Sequence, residues 1–253
     1  MNSDAFNSWV AALEERHLAN LRLPEVTRAL RALSATYVER RGTMRRGAAL
    51  GSAGKRAAFA LFYAPLHLLT VAHIVRNLGA GSPAPTTIVD IGCGTGAAGA
   101  AWALEAGGRS RVLGLDRHRA AVEEARWTYH QLGVDGVARQ GDIARVRPPR
   151  GDVAIVAAYV LNELPDSARE TAWKTLLSTA SRGAPVLVVE PIARKLTPWW
   201  DQVSLEAFAC GGGSDDWRFT ADLPDIIQRL DRAAGLDHRE ITARSIFIPG
   251  RAT

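Results

Sequence analysis

"IVDIGCGTGAAG" occupies residues 88–99, and its reading decides the fold. Two nucleotide-binding patterns overlap in it. From Gly94 it reads G-T-G-A-A-G, the GxGxxG of dinucleotide-binding folds. From Asp90 it reads D-I-G-C-G-T-G, an acid followed by alternating glycines. In both readings the glycines allow a tight turn from strand to helix and let a ligand approach bare backbone. A dinucleotide would set its pyrophosphate at the helix N-terminus, where the dipole favours an anion. The carboxylate of Asp90 argues against that ligand, because it repels phosphate and attracts a cation. S-adenosylmethionine carries a sulfonium and an ammonium in this region. The plain alternative is that Asp90 caps the following turn.

Two further acids lie at the ends of the next strands. Asp116 closes "RVLGLD", twenty residues after Gly96, where an acid can accept hydrogen bonds from ribose hydroxyls. Asp142 stands in "QGDI", where it can accept from an adenine amino group while Ile143 packs on the ring. Each acid could be a turn residue alone; three at successive strand ends favour S-adenosylmethionine over a nicotinamide dinucleotide.

Outward from this core, short β-rich runs alternate with helical stretches. "TIVDIG", "RVLGLD", "VARQGD", "DVAIVAAYV" and "APVLVVEP" read as strands. "LDHREITARSIFIP" closes the chain as one long or two short strands. The alternation predicts an α/β fold with a mostly parallel sheet covered by helices on both faces. "GAGSPAPTT" (79–87) is the best boundary. It divides an N-terminal helical region, 1–80, from a core, 86–253. In the former, "PEVTRALRALSATYVERR" has a helical period, and "KRAAFALFYAPLHLLTVAHIVRNL" reads as one or two apolar helices with Pro65 marking a bend or a new first turn.

Residues 1–86 hold eleven Lys/Arg against five Asp/Glu, and the remainder is nearly balanced, so the excess positive charge is N-terminal. Its densest part, 39–56, has six bases and one acid. It is either a solvated Arg-rich surface or an RNA-binding patch. No apolar run reaches the roughly 18 residues of a membrane span, and the first residues do not read as a signal peptide. Cys93 and Cys210 are too few for a disulfide framework or a cysteine-only metal site, so the expected setting is the cytoplasm and no metal is expected.

The sequence resembles the class I methyltransferases over about residues 86–249. "VDIGCGTG" is similar to their first motif, "GLD" to their ribose motif and "GDI" to their adenine motif. The resemblance implies a Rossmann-like seven-stranded sheet with a reversed last strand. It also implies S-adenosylmethionine as cofactor, held by Asp90, Gly92, Gly94 and Gly96, by Asp116 and Arg117, by Asp142 and Ile143, and by Ala158 at the fourth strand's end. The acceptor should sit over the end of that strand, by the crevice rule for open sheets. There "AAYVLNELPD" offers Tyr159, Asn162 to hold an amino or hydroxyl group, and Glu163 as base or charge partner. Asn162 and Glu163 could equally cap the next helix. His67 is a candidate base tuned near neutrality, delivered by a helical lid, or a packed histidine. Trp199 and Trp200 either wall a flat acceptor or pack between layers.

More narrowly, "LPEVTRALRALSATYVERR", "FYAPLHLLTV", "YVLNELP", "VEP" and "DWRF" resemble methyltransferase-like proteins associated with the small ribosomal subunit. That branch holds an iron–sulfur cluster through C-terminal cysteines. Here Asp216, Trp217, Arg218 and Phe219 supply none, so a four-thiolate cluster cannot form. The chain also lacks the D/N-P-P-Y/F and Pro-Cys motifs of base methylation. The expected activity is therefore methyl transfer to a nitrogen or oxygen of a small molecule. The alternative is a ribosomal RNA methyltransferase or small-subunit assembly factor that uses the 39–56 segment.

Overall fold

The computed structural model describes residues 3–39, 51–143 and 146–250. Most of the basic 39–56 segment lies outside the described residues.

The sheet has seven strands in the order β3-β2-β1-β4-β5-β7-β6. These are β1 (Thr87–Ile91), β2 (Arg111–Asp116), β3 (Gly136–Gln140), β4 (Val153–Ala158), β5 (Val186–Glu190), β6 (Gly213–Phe219) and β7 (Ile241–Ile248). β1 to β5 pair in parallel; β7 is antiparallel to both β5 and β6. This is the Rossmann-like sheet with a reversed last strand. Strand direction follows from the burial of β4 and β5. Nearly every residue of the two is covered on both faces, which parallel strands reach because crossover helices lie above and below.

The helices are α1 (Ser3–Leu18), α2 (Leu23–Glu39), α3 (Ala53–Ala58), α4 (Ala64–Asn77), α5 (Ala97–Glu105), α6 (Arg119–Gln131), α7 (Asp166–Ser181), α8 (Trp200–Ala209) and α9 (Asp225–Ala234). One apolar cluster joins α1, α2, α4, α5, α6 and α9 to one sheet face; the other joins α7 and α8 to the opposite face. The segment before β1 is pinned at several points. Trp102 Nε1 donates to Ala80 O at 3.0 Å, Arg76 donates twice to Glu105, and Thr86 donates twice to Asp152 Oδ2.

Several elements differ from the sequence expectation, though the terminal segment "LDHREITARSIFIP" yields one long strand, β7, one of its two expected forms. Its sheet neighbour β6, formed by "GSDDWRF", carries no apolar alternation and is an edge strand, so periodicity does not reveal it. α1 and α8 have weak amphipathic patterns and also escape the sequence reading. A π-turn (Phe59–Tyr63) joins α3 to α4, so Ala53–Asn77 is one continuous helix, with Pro65 in the first turn of α4 as one of the two expected alternatives. The wider turn lies immediately before Pro65, where the missing N–H and the ring would otherwise break an α-helical turn. This corrects the expectation about apolar length: by length and composition the 25-residue helix could cross a membrane. Its most apolar window is nevertheless 72% buried inside the fold.

Candidate active site

The chain runs from β1 outward to β3, then returns to β4 on the other side of β1. At this switch point the loops after β1 and β4 diverge and leave a crevice at the strands' C-terminal ends. Most of the expected residues are brought to this one edge.

The β1–α5 loop is shaped by its glycines. Gly92 N and Cys93 N both donate to Leu115 O, at 2.8 and 3.0 Å, which ties the loop to β2. Gly92 has φ +70°, and a Cβ there would lie 2.3 Å from Val160 Cγ2. Gly96 has φ +81°, and its Cβ would lie 2.7 Å from the Tyr129 ring. Both positions therefore exclude a side chain on conformation and on space. At Gly94 a Cβ would rest against Phe59, 3.7 Å away, so the α3–α4 helix lies directly over the loop.

Asp90 is fully buried, and its Oδ2 accepts from Gly99 N at 2.8 Å. Gly96 at the helix start has no side chain to cap with, and Asp90 does this from the preceding strand. Burial pushes its carboxyl up to about 7, with Asp116 adding to the shift and the Gly99 bond opposing it. Asp116 Oδ2 accepts from Gly94 N at 3.0 Å and Oδ1 from His118 N at 2.8 Å. A carboxylate has further lone pairs, so hydroxyl donors could share it. Arg117 points its Nε at His118 Nε2, 3.0 Å away. Ile143 is buried beside Gly92, while Asp142 is exposed. Ala158 ends β4, one residue before Tyr159. Cys93 is buried, and its thiol is held protonated by burial and by the neighbouring Asp90 and Asp116; it packs rather than reacts.

The roof of the crevice is aromatic. Tyr159 has φ +57°, rare for a non-glycine residue, and its N–H donates to Val189 O at 2.7 Å. Its ring stacks on His67 with centroids 4.0 Å apart and planes 14° from parallel. Phe59 meets His67 edge-on at 5.9 Å, and Tyr63 is tilted to it at 6.1 Å. Sequence reasoning missed Phe59 and Tyr63, although Phe-x3-Tyr-x3-His places all three on one helical face. Burial pushes the Tyr63 hydroxyl up to about 12 and raises that of Tyr159 further, with a hydrogen bond to Thr70 opposing the latter shift. Burial lowers His67 to about 3. This corrects the expectation of a base tuned near neutrality: the imidazole is neutral at physiological pH, and desolvation in an aromatic stack is the cause. His73 lies elsewhere, stacked on Phe219 at 4.0 Å.

Asn162 and Glu163 form a short 3-10 turn after β4. Asn162 is half-buried and Glu163 exposed. The group that holds this turn is Glu190, which the sequence reading left inside the strand "APVLVVEP" with no function of its own. It is fully buried, and its Oε1 accepts from Leu161 N at 2.9 Å and Asn162 N at 3.2 Å. Burial pushes it up to about 8, with Glu163 adding to the rise and the backbone bonds opposing it. Position in "VVEP" at a strand end is the signal that could have marked it. Trp200 is buried, donating Nε1 to Ser214 Oγ at 3.0 Å, so it is a packing residue and not an acceptor wall. Trp199 is half-buried beneath Arg169, whose guanidinium lies 5.1 Å from the ring centroid. Among the described residues no group of three His, Cys, Asp or Glu is placed to hold a metal ion.

The glycine cradle and Asp116 fit an adenosyl cofactor with a charged methionine end: the cradle excludes side chains, and Asp90 and Asp116 set carboxyl groups beside it. A family model described as a methyltransferase domain matches residues 88–183. This segment is a class I, S-adenosylmethionine-dependent methyltransferase domain. A search of curated proteins finds no match to the chain. Solved structures show the same methyltransferase fold at low identity. A candidate O-methyltransferase of Nostoc punctiforme is 15% identical, with a TM-score of 0.52 over 88% of this chain and 69% of that one. The plantazolicin methyltransferase BpumL, solved with a pentazolic analogue and S-adenosylhomocysteine, is 12% identical, with a TM-score of 0.52 over 90% and 98%. A candidate RNA methyltransferase of Pyrococcus horikoshii is 12% identical, with a TM-score of 0.50 over 74% and 86%.

Proposed function

We propose that the protein transfers the methyl group of S-adenosylmethionine to a nitrogen or oxygen of a small, flat acceptor. The observation that carries this reading is the His67–Tyr159 stack over the switch-point crevice, joined by Phe59 and Tyr63. Such a roof suits a planar, uncharged group better than a phosphate-bearing chain. The cofactor, when bound, supplies an electrophilic sulfonium methyl; the protein has to place the acceptor in line with it.

In this reading Gly92, Gly94 and Gly96 cradle the methionine end, with Asp90 supplying negative charge behind them. Asp116 takes the ribose hydroxyls with Arg117 beside it. Asp142 and Ile143 take the adenine, and Ala158 floors the site. Tyr159 and neutral His67 orient the acceptor, Asn162 binds it, and exposed Glu163 receives the released proton. The free thiols of Cys93 and Cys210 suit a reducing, cytoplasmic setting.

A second reading, ribosomal RNA as acceptor, draws support from one observation besides the 39–56 segment. A groove of about 810 Å³ runs along α7, lined by Arg147, Lys174 and Arg182 with Thr171, Thr175 and Ser178, and no acid lines it among the described residues.

Calorimetry with S-adenosylmethionine and with NAD tests the first reading. Binding of the former alone is expected; binding of NAD alone removes it. Retention on RNA at about 50 mM salt that is lost by about 200 mM would shift the choice to the second.

A further inference from the structure

Two buried oxygens at the acceptor side of the crevice have no hydrogen-bond donor: Glu190 Oε2 and Asn162 Oδ1. Their residues are joined, because Asn162 N donates to Glu190 Oε1 at 3.2 Å. A buried acceptor left unmet costs about 1–3 kcal/mol, and native folds tolerate few. Here two fall on hydrogen-bonded neighbours. One ends β5; the other stands three residues beyond Tyr159, whose ring forms the roof. Asn162 as a residue is half-buried, although its Oδ1 is itself out of solvent.

Oε1 of Glu190 already accepts from two backbone N–H groups; when the carboxyl is ionised, Oε2 and the amide oxygen of Asn162 can only accept, so whatever meets the pair in that form must bring hydrogens. A hydroxyl brings one. An amino group brings two. Two cations on this side are already engaged: Arg169 with Leu164 O, Asp166 and the Trp199 face, and Arg244, opposite Glu190 on β7, with Asp216, Thr197 and the Trp200 face. The stacked Tyr159 and His67 rings stand close by, and an aromatic wall suits a flat molecule.

We propose that Asn162 and Glu190 form the polar end of the acceptor pocket and select a planar amine, whose amino hydrogens are accepted by Asn162 Oδ1 and Glu190 Oε2. This rests on the small-molecule reading above and narrows it from nitrogen or oxygen to nitrogen. Glu190 thereby has two functions: one oxygen holds the turn that carries Asn162, and the other meets the ligand.

The test uses two probes of equal shape, 2-aminoquinoline and 2-methylquinoline, titrated at about pH 9, where Glu190 is ionised, into the full chain loaded with S-adenosylhomocysteine. The amine is expected to bind at least about tenfold more tightly, since a site built to accept hydrogens rejects an analogue lacking them. The preference should fall to about threefold or less in Asn162→Leu and in Glu190→Gln, with S-adenosylhomocysteine affinity reporting that each variant is folded. Equal binding of the two probes overturns the proposal; it is the result expected if water, or a proton on Glu190 itself, already satisfied the pair. A preference that survives both substitutions overturns it too, as does binding of neither probe by protein that holds S-adenosylhomocysteine. Failure to bind S-adenosylhomocysteine at all strikes at the methyltransferase reading and removes this inference with it.

Discussion

The His67 imidazole lies face to face on the Tyr159 ring, 4.0 Å between centroids, and so brings the N-terminal helix into the crevice that β1 and β4 open. The two rings reach this contact by different routes. His67 rides on α4, which packs against α5; Tyr159 is forced into a left-handed backbone conformation as β4 ends. If the stack orients the acceptor rather than moving protons, His67→Phe should retain most turnover and His67→Ala should lose at least about tenfold. Steady-state rates on an identified acceptor check this. Equal loss in both variants would restore a proton-transfer function to His67.

The same residue makes stability depend on pH. Its pKa is about 3 when folded against an ordinary 6.5, so the unfolded chain binds the proton more readily. His67 therefore contributes stability above pH 6.5 that is lost as pH falls toward 3. Denaturant midpoints between pH 7 and pH 4 should decline less steeply in His67→Phe than in the wild type.

Glu190 acts in the opposite sense. Its folded pKa of about 8 lies above the ordinary 4.5, so the folded state holds the proton more tightly. The contribution is complete below pH 4.5 and is lost as pH rises through 8. Glu190→Gln should thus gain on the wild type between pH 6 and pH 9, as read by thermal midpoints. Parallel curves would show that the carboxyl does not titrate in this range.

Asp90 combines a cap with a charge. Its carboxyl, pushed up to about 7, is mostly ionised above neutrality. Affinity for cationic S-adenosylmethionine should rise a few-fold from pH 6 to pH 8. Asp90→Asn keeps an acceptor for Gly99 N and should flatten that rise. A flat wild-type profile would leave Asp90 only its capping function.

Gly92→Ala forces a methyl group into Val160 and a side chain into a left-handed conformation. Strain and overpacking together should cost about 2–4 kcal/mol. Val160→Ala should restore part of this. At Gly96 the obstacle includes the Ala125 backbone, 3.0 Å from the added carbon, so no single truncation should rescue Gly96→Ala. Chemical denaturation of the single and double variants measures both.

The sheet and the glycine loop were legible because local signals and global fold agree there. β1 is a short β-rich run, and the loop glycines occupy positions that reject a side chain. The acids were legible as strand-end residues, but their neighbours were not. Glu190 and Asn162 meet only because β4 and β5 pair in parallel with Ala158 opposite Val189, a register that no single segment encodes. The displaced pKa of His67 was hidden for the same reason. An isolated histidine in an apolar helix carries no record of the tyrosine that will cover it. β6 was missed because an edge strand lacks the apolar alternation of a covered one.

The continuous span from Ala53 to Asn77 carries one more implication. Its second half is interior packing, with Leu68, Val71 and Ile74 sealed from water, while its first half presents the rings above the cofactor loop. Truncating a methyl group far below the crevice would slacken the same rod that aims those rings. Substitutions deep in the interior, remote from any reacting atom, would then surface as slower methylation before they surface as unfolding.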